Sequence, residues 1–164
     1  MPGDVVIREV RPEDVETAAA IAVAAWEPIY AHYRSVMGEE IFRALHSEWR
    51  ARKASQVRRA CASGSGVHAR VAELDGRVVG FVTFHADAAS GVGEIDNNAV
   101  DPSAQGKGVA QKMYARVFDE MRALGVKVVK VSTGGDPAHA PARRSYERAG
   151  FSVQLPSVTY YRAL

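Results

Sequence analysis

The stretch Glu94–Gln111, EIDNNAVDPSAQGKGVAQ, joins a strand, a glycine loop and the start of a helix. The strand covers residues 94–100 and ends at Asp101–Pro102, because proline cannot continue a β-ladder and restricts the residue before it. Glycines just ahead of a helix let the backbone approach a ligand closely, and the first helical N–H groups have no intrahelical partners. Together with the helix dipole, these groups favour phosphate. The stretch therefore predicts a phosphate-bearing cofactor beside a carboxylate-lined pocket.

Two common phosphate motifs do not fit this loop. The Walker pattern needs four residues between its first glycine and Gly-Lys-Ser/Thr, and the loop lacks that spacing. The dinucleotide fingerprint fails as well, because Gln111 stands where a third glycine belongs after Gly106 and Gly108.

The composition predicts a single domain spanning residues 1–164, with a hydrophobic fraction of 47% and a charged fraction of 24%. A net charge of +2 gives no strong field for nucleic acid or an anionic membrane. The first ten residues lack the pattern of a signal peptide, and no segment approaches about 18 consecutive apolar residues. The single cysteine, Cys61, fits a reducing compartment. We therefore expect a cytoplasmic protein without nucleic-acid or membrane partners.

Hydrophobic periodicity and turn residues predict the order β-α-α-β-β-β-α-β-α-β-β. The fold class is α/β, a mixed sheet with helices on both faces. Asp75-Gly76 predicts a tight hairpin, and Pro28 is expected to interrupt the first helix. The other predicted elements are strands at 5–10, 67–74, 77–85, 94–100, Val126–Ser132, Phe151–Leu155 and Val158–Ala163, and helices from Pro12, over Gly38–Ala60, from Val109 to Gly125 and over Ala140–Ala149.

Two short patterns resemble signatures of the GNAT N-acetyltransferase superfamily. Gln105-x-x-Gly108-x-Ala110 is similar to its acyl-CoA motif, and Ala142-x-x-x-Tyr146-x-x-x-Gly150-Phe151 is similar to its second signature. The resemblance implies the GNAT fold, acetyl-CoA as co-substrate, and direct acetyl transfer to a primary amine of a small molecule or peptide. It also implies that strands 94–100 and 126–132 splay apart to admit the pantetheine arm.

The resemblance further implies the residues that bind the cofactor. The backbone of Asn98, Ala99 and Val100 would meet the acetyl and pantetheine end. The pyrophosphate would meet the loop residues Gln105, Gly106, Lys107, Gly108, Val109, Ala110 and Gln111. Lys107 either adds charge there or faces solvent. His139 stands where the family commonly has a cofactor-contacting asparagine, so that contact depends on whether histidine can replace it.

Acetyl transfer to an amine requires removal of the amine proton and a proton for the leaving thiolate. Glu94 and Asp96 are two apart on a strand and so share a face, on which Asn98 is expected to continue the row. Glu94 or Asp96 is the candidate base, Glu94 matching the family position, unless these carboxylates only bind amides or an arginine. The resemblance points to Tyr146 as the acid, the alternative being a core tyrosine beside Phe151.

The acceptor is expected at the first two helices, where Trp26, Tyr30 and Tyr33 line a pocket or simply pack in the core. The scattered histidines and Cys61 predict no metal site. Two other functions remain open: an acyl-CoA sensor of the same fold, and a nucleic-acid-binding protein using Arg50–Arg59. A homodimer is an expectation of the resemblance alone, and the sequence does not identify the amine.

Overall fold

The structure is a computed structural model that describes residues 3–164, so Met1 and Pro2 of the predicted domain lie outside the described residues. The strands in this range are β1 (Val5–Glu9), β2 (His68–Leu74), β3 (Arg77–Asp87), β4 (Val92–Val100) and β5 (Val128–Val131). The helices in the same range are α1 (Val15–Met37), α2 (Glu39–His46), α3 (Trp49–Cys61), α4 (Val109–Ala123) and α5 (Ala140–Arg148).

The strands of the described range form one mixed sheet in the order β1-β2-β3-β4-β5. Neighbouring strands are antiparallel except β4 and β5, which run parallel. The predicted hairpin is confirmed: Leu74 pairs with Arg77, and Asp75 and Gly76 have φ values of 52° and 75°. Positive φ at both central residues is the requirement of a type I′ turn, which matches the twist of the two strands.

Helices cover both faces of the sheet, which confirms the predicted fold class. Helices α1 and α3 pack on one face through a cluster that includes Ile21, Val57 and Phe81. Helix α4 packs on the other face, with α5 beside it, and buries Val109, Met113, Val117 and Met121, which recur four residues apart. Across residues 3–164, none of the helices combines the length and the apolar character that a membrane crossing requires.

A charged contact joins the end of β1 to the start of α1. Arg8 donates to both carboxylate oxygens of Asp14, at 2.6 and 3.1 Å, and to Glu73 at 2.8 Å. Asp14 is 5% exposed and also accepts from the backbone N–H of Arg11 at 2.8 Å. These bonds, chiefly that from Arg8, hold the pKa of Asp14 below its ordinary value although burial opposes the change.

The predicted boundaries of the first two helical regions are wrong. Helix α1 continues through Pro28 to Met37, because the proline removes only one donor and the freed carbonyl of Ala24 lies on an exposed part of the helix. The region predicted as one helix over Gly38–Ala60 divides into α2 and α3 at Ser47–Glu48, where Glu48 leaves the helical conformation.

The two predicted closing strands are also wrong. Residues 152–164 form neither helix nor strand, and Val153, Leu155 and Tyr160 are 93%, 97% and 91% exposed. Strand propensity expresses packing against a neighbouring strand, and this segment makes no ladder hydrogen bonds with β5. The outer edge of β5 consequently has no strand partner among residues 3–164.

Candidate active site

The glycine loop before α4 presents a row of backbone donors. Gly106 and Gly108 have φ values of 77° and 75°, and an added Cβ at either position would meet open space. Within residues 3–164, the backbone N–H groups of residues 106–111 donate no hydrogen bond. These groups include the first N–H groups of α4. Gln105 and Lys107 are exposed, whereas the side chain of Gln111 donates to the backbone oxygen of Ser145 on α5 at 3.0 Å. The loop can therefore hold an anion through its backbone.

A gap separates β4 from β5 at the end of β4 that leads into this loop. Strands β4 and β5 pair from Val92 with Val128 to Ile95 with Val131, and the pairing stops there. Beyond Ile95, β4 keeps only its β3 neighbour. The backbone groups of residues 96–100 that face β5 thus have no strand partner there, next to the anion-binding loop.

A β-bulge turns the side chains at this gap. Phe84 pairs with Ile95 and Val82 with Asn98, so Thr83 opposes both Asp96 and Asn97. The Thr83 hydroxyl accepts from the N–H of Asn97 at 3.1 Å and donates to its carbonyl at 3.4 Å. The bulge sends Asn98 toward α4 and α5, away from the Asp96 face. The expectation that Asn98 continues the acidic row is wrong for its side chain.

Asn98 instead connects two tyrosines on the α4 and α5 side. Its Nδ2 donates to the Tyr146 hydroxyl oxygen at 3.0 Å, and its Oδ1 accepts from the Tyr114 hydroxyl at 2.7 Å. Both tyrosines are buried, and burial raises the pKa of each phenol above its ordinary value. Because Asn98 donates to Tyr146, the hydroxyl hydrogen of Tyr146 remains free for another acceptor. Tyr114 carries no motif, and sequence reasoning missed it.

The two candidate carboxylates have different surroundings on the other face. Glu94 lies 2.9 Å from the ammonium of Lys130 on β5, with its side chain 36% exposed. Asp96 Oδ2 lies 2.6 Å from His85 Nδ1 on β3, with its side chain 27% exposed. Burial, the largest influence, raises the pKa of Asp96, and the neighbouring Glu94 adds to the rise while His85 opposes it. Asp96 is thereby a stronger base than an ordinary aspartate.

His139 belongs to a compact loop between β5 and α5. Its Nδ1 lies 2.6 Å from Asp136 Oδ2, while Asp136 Oδ1 accepts from the N–H of Ala138 at 2.9 Å. Arg143 donates to the carbonyls of Gly134 and Asp136, at 2.6 and 2.7 Å. A Cβ at Gly134 would come within 2.3 Å of the His139 ring, so only glycine allows this packing. With Nδ1 engaged, Nε2 of His139 is the nitrogen left for a ligand.

The three aromatic residues predicted for the acceptor all lie on α1, where Tyr30 and Tyr33 meet edge to face at a ring separation of 5.5 Å. Tyr30 stacks on Trp49 at 4.2 Å and lines an open cavity of about 480 Å³ between α1, α2 and α3. Tyr33 faces His139 at a ring separation of 6.1 Å. Trp26 lies under the ammonium of Lys53, 4.0 Å from its ring centroid. Trp26 and Tyr33 do not line the cavity that contains Tyr30.

Most basic side chains of α3 form ion pairs or hydrogen bonds with other residues of the chain. Arg50 pairs with Glu27, and Arg58 donates twice to Glu16 at 2.8 Å. Lys53 points inward and donates to Asn97 Oδ1 at 3.1 Å. Glutamates thus neutralise Arg50 and Arg58, and Lys53 is turned away from solvent, which reduces the charge that α3 offers to a phosphate backbone.

Cys61 is buried at the end of α3, and burial raises the pKa of its thiol to about 11. A thiol held protonated in this way is a poor nucleophile, which argues against a covalent route through it. Within residues 3–164, no group of three or more His, Cys, Asp or Glu side chains is arranged to hold a metal ion.

Known proteins resemble this arrangement in sequence and in fold. Mycothiol acetyltransferase of Sanguibacter keddieii is 41% identical over 87 residues, covering 50% of this chain and 27% of that protein. Aminoalkylphosphonate N-acetyltransferase of Salmonella typhimurium is 32% identical over 89 residues, covering 52% of this chain and 56% of that protein. The chain thus spans about a quarter of the first of these curated relatives and little more than half of the second.

The fold is that of a solved acetyltransferase. PaiA N-acetyltransferase of Thermoplasma acidophilum, determined in complex with coenzyme A, superposes with a TM-score of 0.71 at 19% identity. The superposition covers 92% of this chain and 91% of the PaiA chain. The family model for the acetyltransferase (GNAT) family matches residues 26–151, well over half of the chain. This chain therefore belongs to the GNAT acetyltransferase family.

Proposed function

We propose that this protein is an acetyl-CoA-dependent N-acetyltransferase that moves the acetyl group directly to a primary amine. The observation that carries the proposal is the row of unpaired N–H groups at residues 106–111, placed beside the gap between β4 and β5. These groups would bind the pyrophosphate of acetyl-CoA, and the gap would admit its pantetheine arm. Family membership supports the same assignment.

The free backbone of β4 would orient the thioester. Residues Asn98, Ala99 and Val100 lie beyond the last β4–β5 pair, so their backbone groups can bond to the acetyl and pantetheine end. A donor aimed at the thioester oxygen stabilises the oxyanion that forms when the amine attacks. His139, through Nε2, is proposed to contact the cofactor in place of an asparagine.

Proton transfer is assigned to residues on opposite faces of β4. An ammonium has no lone pair, so a carboxylate must first remove a proton from the acceptor. Asp96, with a raised pKa, and Glu94, held near Lys130, are the two candidates, acting directly or through water. Tyr146 would then give its free hydroxyl proton to the departing thiolate. Because burial raises the pKa of Tyr146, its phenol stays protonated at neutral pH and has a proton to give as the thiolate leaves.

The acceptor is proposed to enter from the α1 side, near Trp26, Tyr30 and Tyr33. The relatives' names include a mycothiol and an aminoalkylphosphonate acetyltransferase, so a small-molecule amine is the favoured class over a peptide. We further propose that residues 1–164 act as one domain, and that two copies form a homodimer.

The test separates an enzyme from a cofactor sensor. The double variant Glu94→Gln, Asp96→Asn is compared with wild type for acetyl-CoA affinity by calorimetry and for thiol release with a panel of amines. An enzyme keeps its affinity and loses about 10²-fold or more in rate. If wild type binds acetyl-CoA but none of the amines in the panel causes thiol release, the proposed enzymatic activity is wrong. A cofactor sensor would then be the better description.

A further inference from the structure

Lys53 holds its ammonium group in a small polar niche on the α1 and α3 face of the sheet. Its Nζ donates to Asn97 Oδ1 at 3.1 Å and to Gln56 Oε1 at 3.0 Å. The face of the Trp26 ring lies 4.0 Å away. Two neutral amide oxygens and an aromatic face can hold a cation, but none of them cancels its charge.

The charge of Lys53 has no counter-charge in this part of the chain. No carboxylate among residues 3–164 lies within salt-bridge distance of its Nζ, whereas Arg50 and Arg58 on the same helix each pair with a glutamate. Burial is the sole cause that lowers the pKa of Lys53 to about 8, with no carboxylate to raise it. A partly buried, uncompensated cation is costly, and an anion that reached it would remove that cost.

The niche lies next to the proposed reaction centre. Asn97 directly precedes Asn98, whose backbone is proposed to meet the acetyl group, and its side chain points to the Lys53 face because of the bulge. Asp96 and Glu94 lie on that same face of β4. The acceptor side of the gap thus carries two carboxylates suited to an ammonium group and one unpaired cation suited to an anion.

We propose that Lys53 binds an anionic group of the acceptor, so that the acceptor is an aliphatic amine that also carries a carboxylate or a phosphonate. The amine would lie toward Asp96 and Glu94, and the anion would replace the amide partners of Lys53 or join them. This inference rests on the proposed acetyltransferase function and narrows its substrate class.

Matched acceptors test the inference by kinetics. The ratio of kcat/KM for β-alanine or 2-aminoethylphosphonate to that for propylamine is measured for wild type, Lys53→Met and Lys53→Arg. We expect Lys53→Met to lower the ratio at least tenfold through KM, and Lys53→Arg to restore most of it. Lys127→Met, a change at an exposed lysine, is the matched control. A purely structural role for Lys53 would lower both values of kcat/KM together, leave the ratio unchanged and overturn the inference.

A binding measurement tests the inference without turnover. N-acetyl-β-alanine has no titrating amine, and its carboxylate stays ionised between pH 7 and pH 9. Its affinity for the CoA-loaded protein, measured by calorimetry, should fall about tenfold between these two values as Lys53 loses its proton around pH 8. Lys53→Met should bind weakly with no such fall.

Equal affinity of wild type and Lys53→Met for N-acetyl-β-alanine at pH 7 would overturn the anion site. The result also separates the two proposals. Acetylation of propylamine together with equal binding by the two proteins would leave the acetyltransferase in place and remove only the anionic acceptor.

Discussion

Asn98 on β4 donates a hydrogen bond from Nδ2 to the hydroxyl oxygen of Tyr146 on α5, at 3.0 Å. The same amide accepts from Tyr114 at 2.7 Å, which fixes its orientation. The phenol of Tyr146 is thereby held at the edge of the β4–β5 gap as an acceptor from Asn98, with its own hydrogen available. An acid that donates a proton to a thiolate in this gap needs a hydroxyl hydrogen that no other acceptor has taken.

Tyr146→Phe should lower kcat about 10²-fold while leaving acetyl-CoA affinity nearly unchanged, because only the proton donor is removed. Burial raises the pKa of Tyr146, so kcat at saturating acceptor should fall on its alkaline side only above the pH at which an ordinary phenol ionises. Steady-state kinetics across pH checks both points. Tyr160→Phe, a change at a 91% exposed tyrosine, is the matched control. Equal rates for Tyr146→Phe and wild type would remove Tyr146 as the acid.

Asp96→Asn should change the acid side of the pH–rate profile. A base must be deprotonated, so the wild-type rate falls as the pH drops through the pKa of Asp96. That fall should lie above the range of an ordinary aspartate, because burial raises this pKa. The variant should lose that limb and most of its rate, whereas Glu94→Gln should keep the limb. The opposite result would assign the base to Glu94.

Gly108→Ala should weaken CoA binding about tenfold. Gly108 has φ 75°, where an alanine costs about 1–2 kcal/mol, and relaxation of that strain would displace the N–H groups of the loop. Gly64→Ala provides the control, since Gly64 also has a φ of 76° and open space around it but lies in a different loop. Both variants should lose similar stability, and only Gly108→Ala should lose affinity by calorimetry. Equal affinities in the two variants would argue against the loop as the binding site.

Asp14→Asn should destabilise the fold by about 3 kcal/mol, because it leaves the partly buried Arg8 without its main partner. The lowered pKa of Asp14 also predicts acid sensitivity. The stability it contributes is complete above the unfolded pKa of about 3.9 and is lost as the pH falls through the lower folded value. Urea unfolding at several pH values checks this, with exposed Glu13→Gln as the control. An equally small loss in both variants would contradict the assignment.

Truncation after Phe151 should abolish self-association. The segment 152–164 exposes Val153, Leu155, Val158 and Tyr160, a larger apolar surface than isolated exposed residues provide. We expect light scattering to find a concentration-dependent dimer for the full chain and a monomer for the truncated one. A full chain that stays monomeric at every concentration, or a truncated chain that still dimerises, would contradict a role for this segment.

Local patterns predicted the parts of the fold that depend on local chemistry. Asp75-Gly76 determines its own turn, the α4 stripe follows from helical spacing, and the glycines before Val109 mark the loop. The bulge at Asp96–Asn97 left no sequence signal, because it depends on how Thr83 pairs across the sheet. The closing segment has the composition of a strand, but a strand also needs a partner.

The side chains of the candidate site were predicted less completely. Glu94 and Asp96 lie on one face of β4, and Tyr146 contacts Asn98 on the other face, while their catalytic roles stay predictions. Tyr114 and Lys53 were missed, since their contacts with Asn98 and Asn97 join residues that are 16 and 44 positions apart. The contact that turns Lys53 inward is its hydrogen bond to Asn97 on β4, which has no local sequence signal.

The most direct test of the central claim is a titration of acetyl-CoA into the wild-type protein, followed by an assay of thiol release with the amine panel in the same preparation. We expect one acetyl-CoA site per chain and release of one thiol for each amine acetylated, with no release before an amine is added. Absence of acetyl-CoA binding at millimolar concentration, the upper end of ordinary KM values of about 1 mM, would contradict the loop assignment and the proposed function with it.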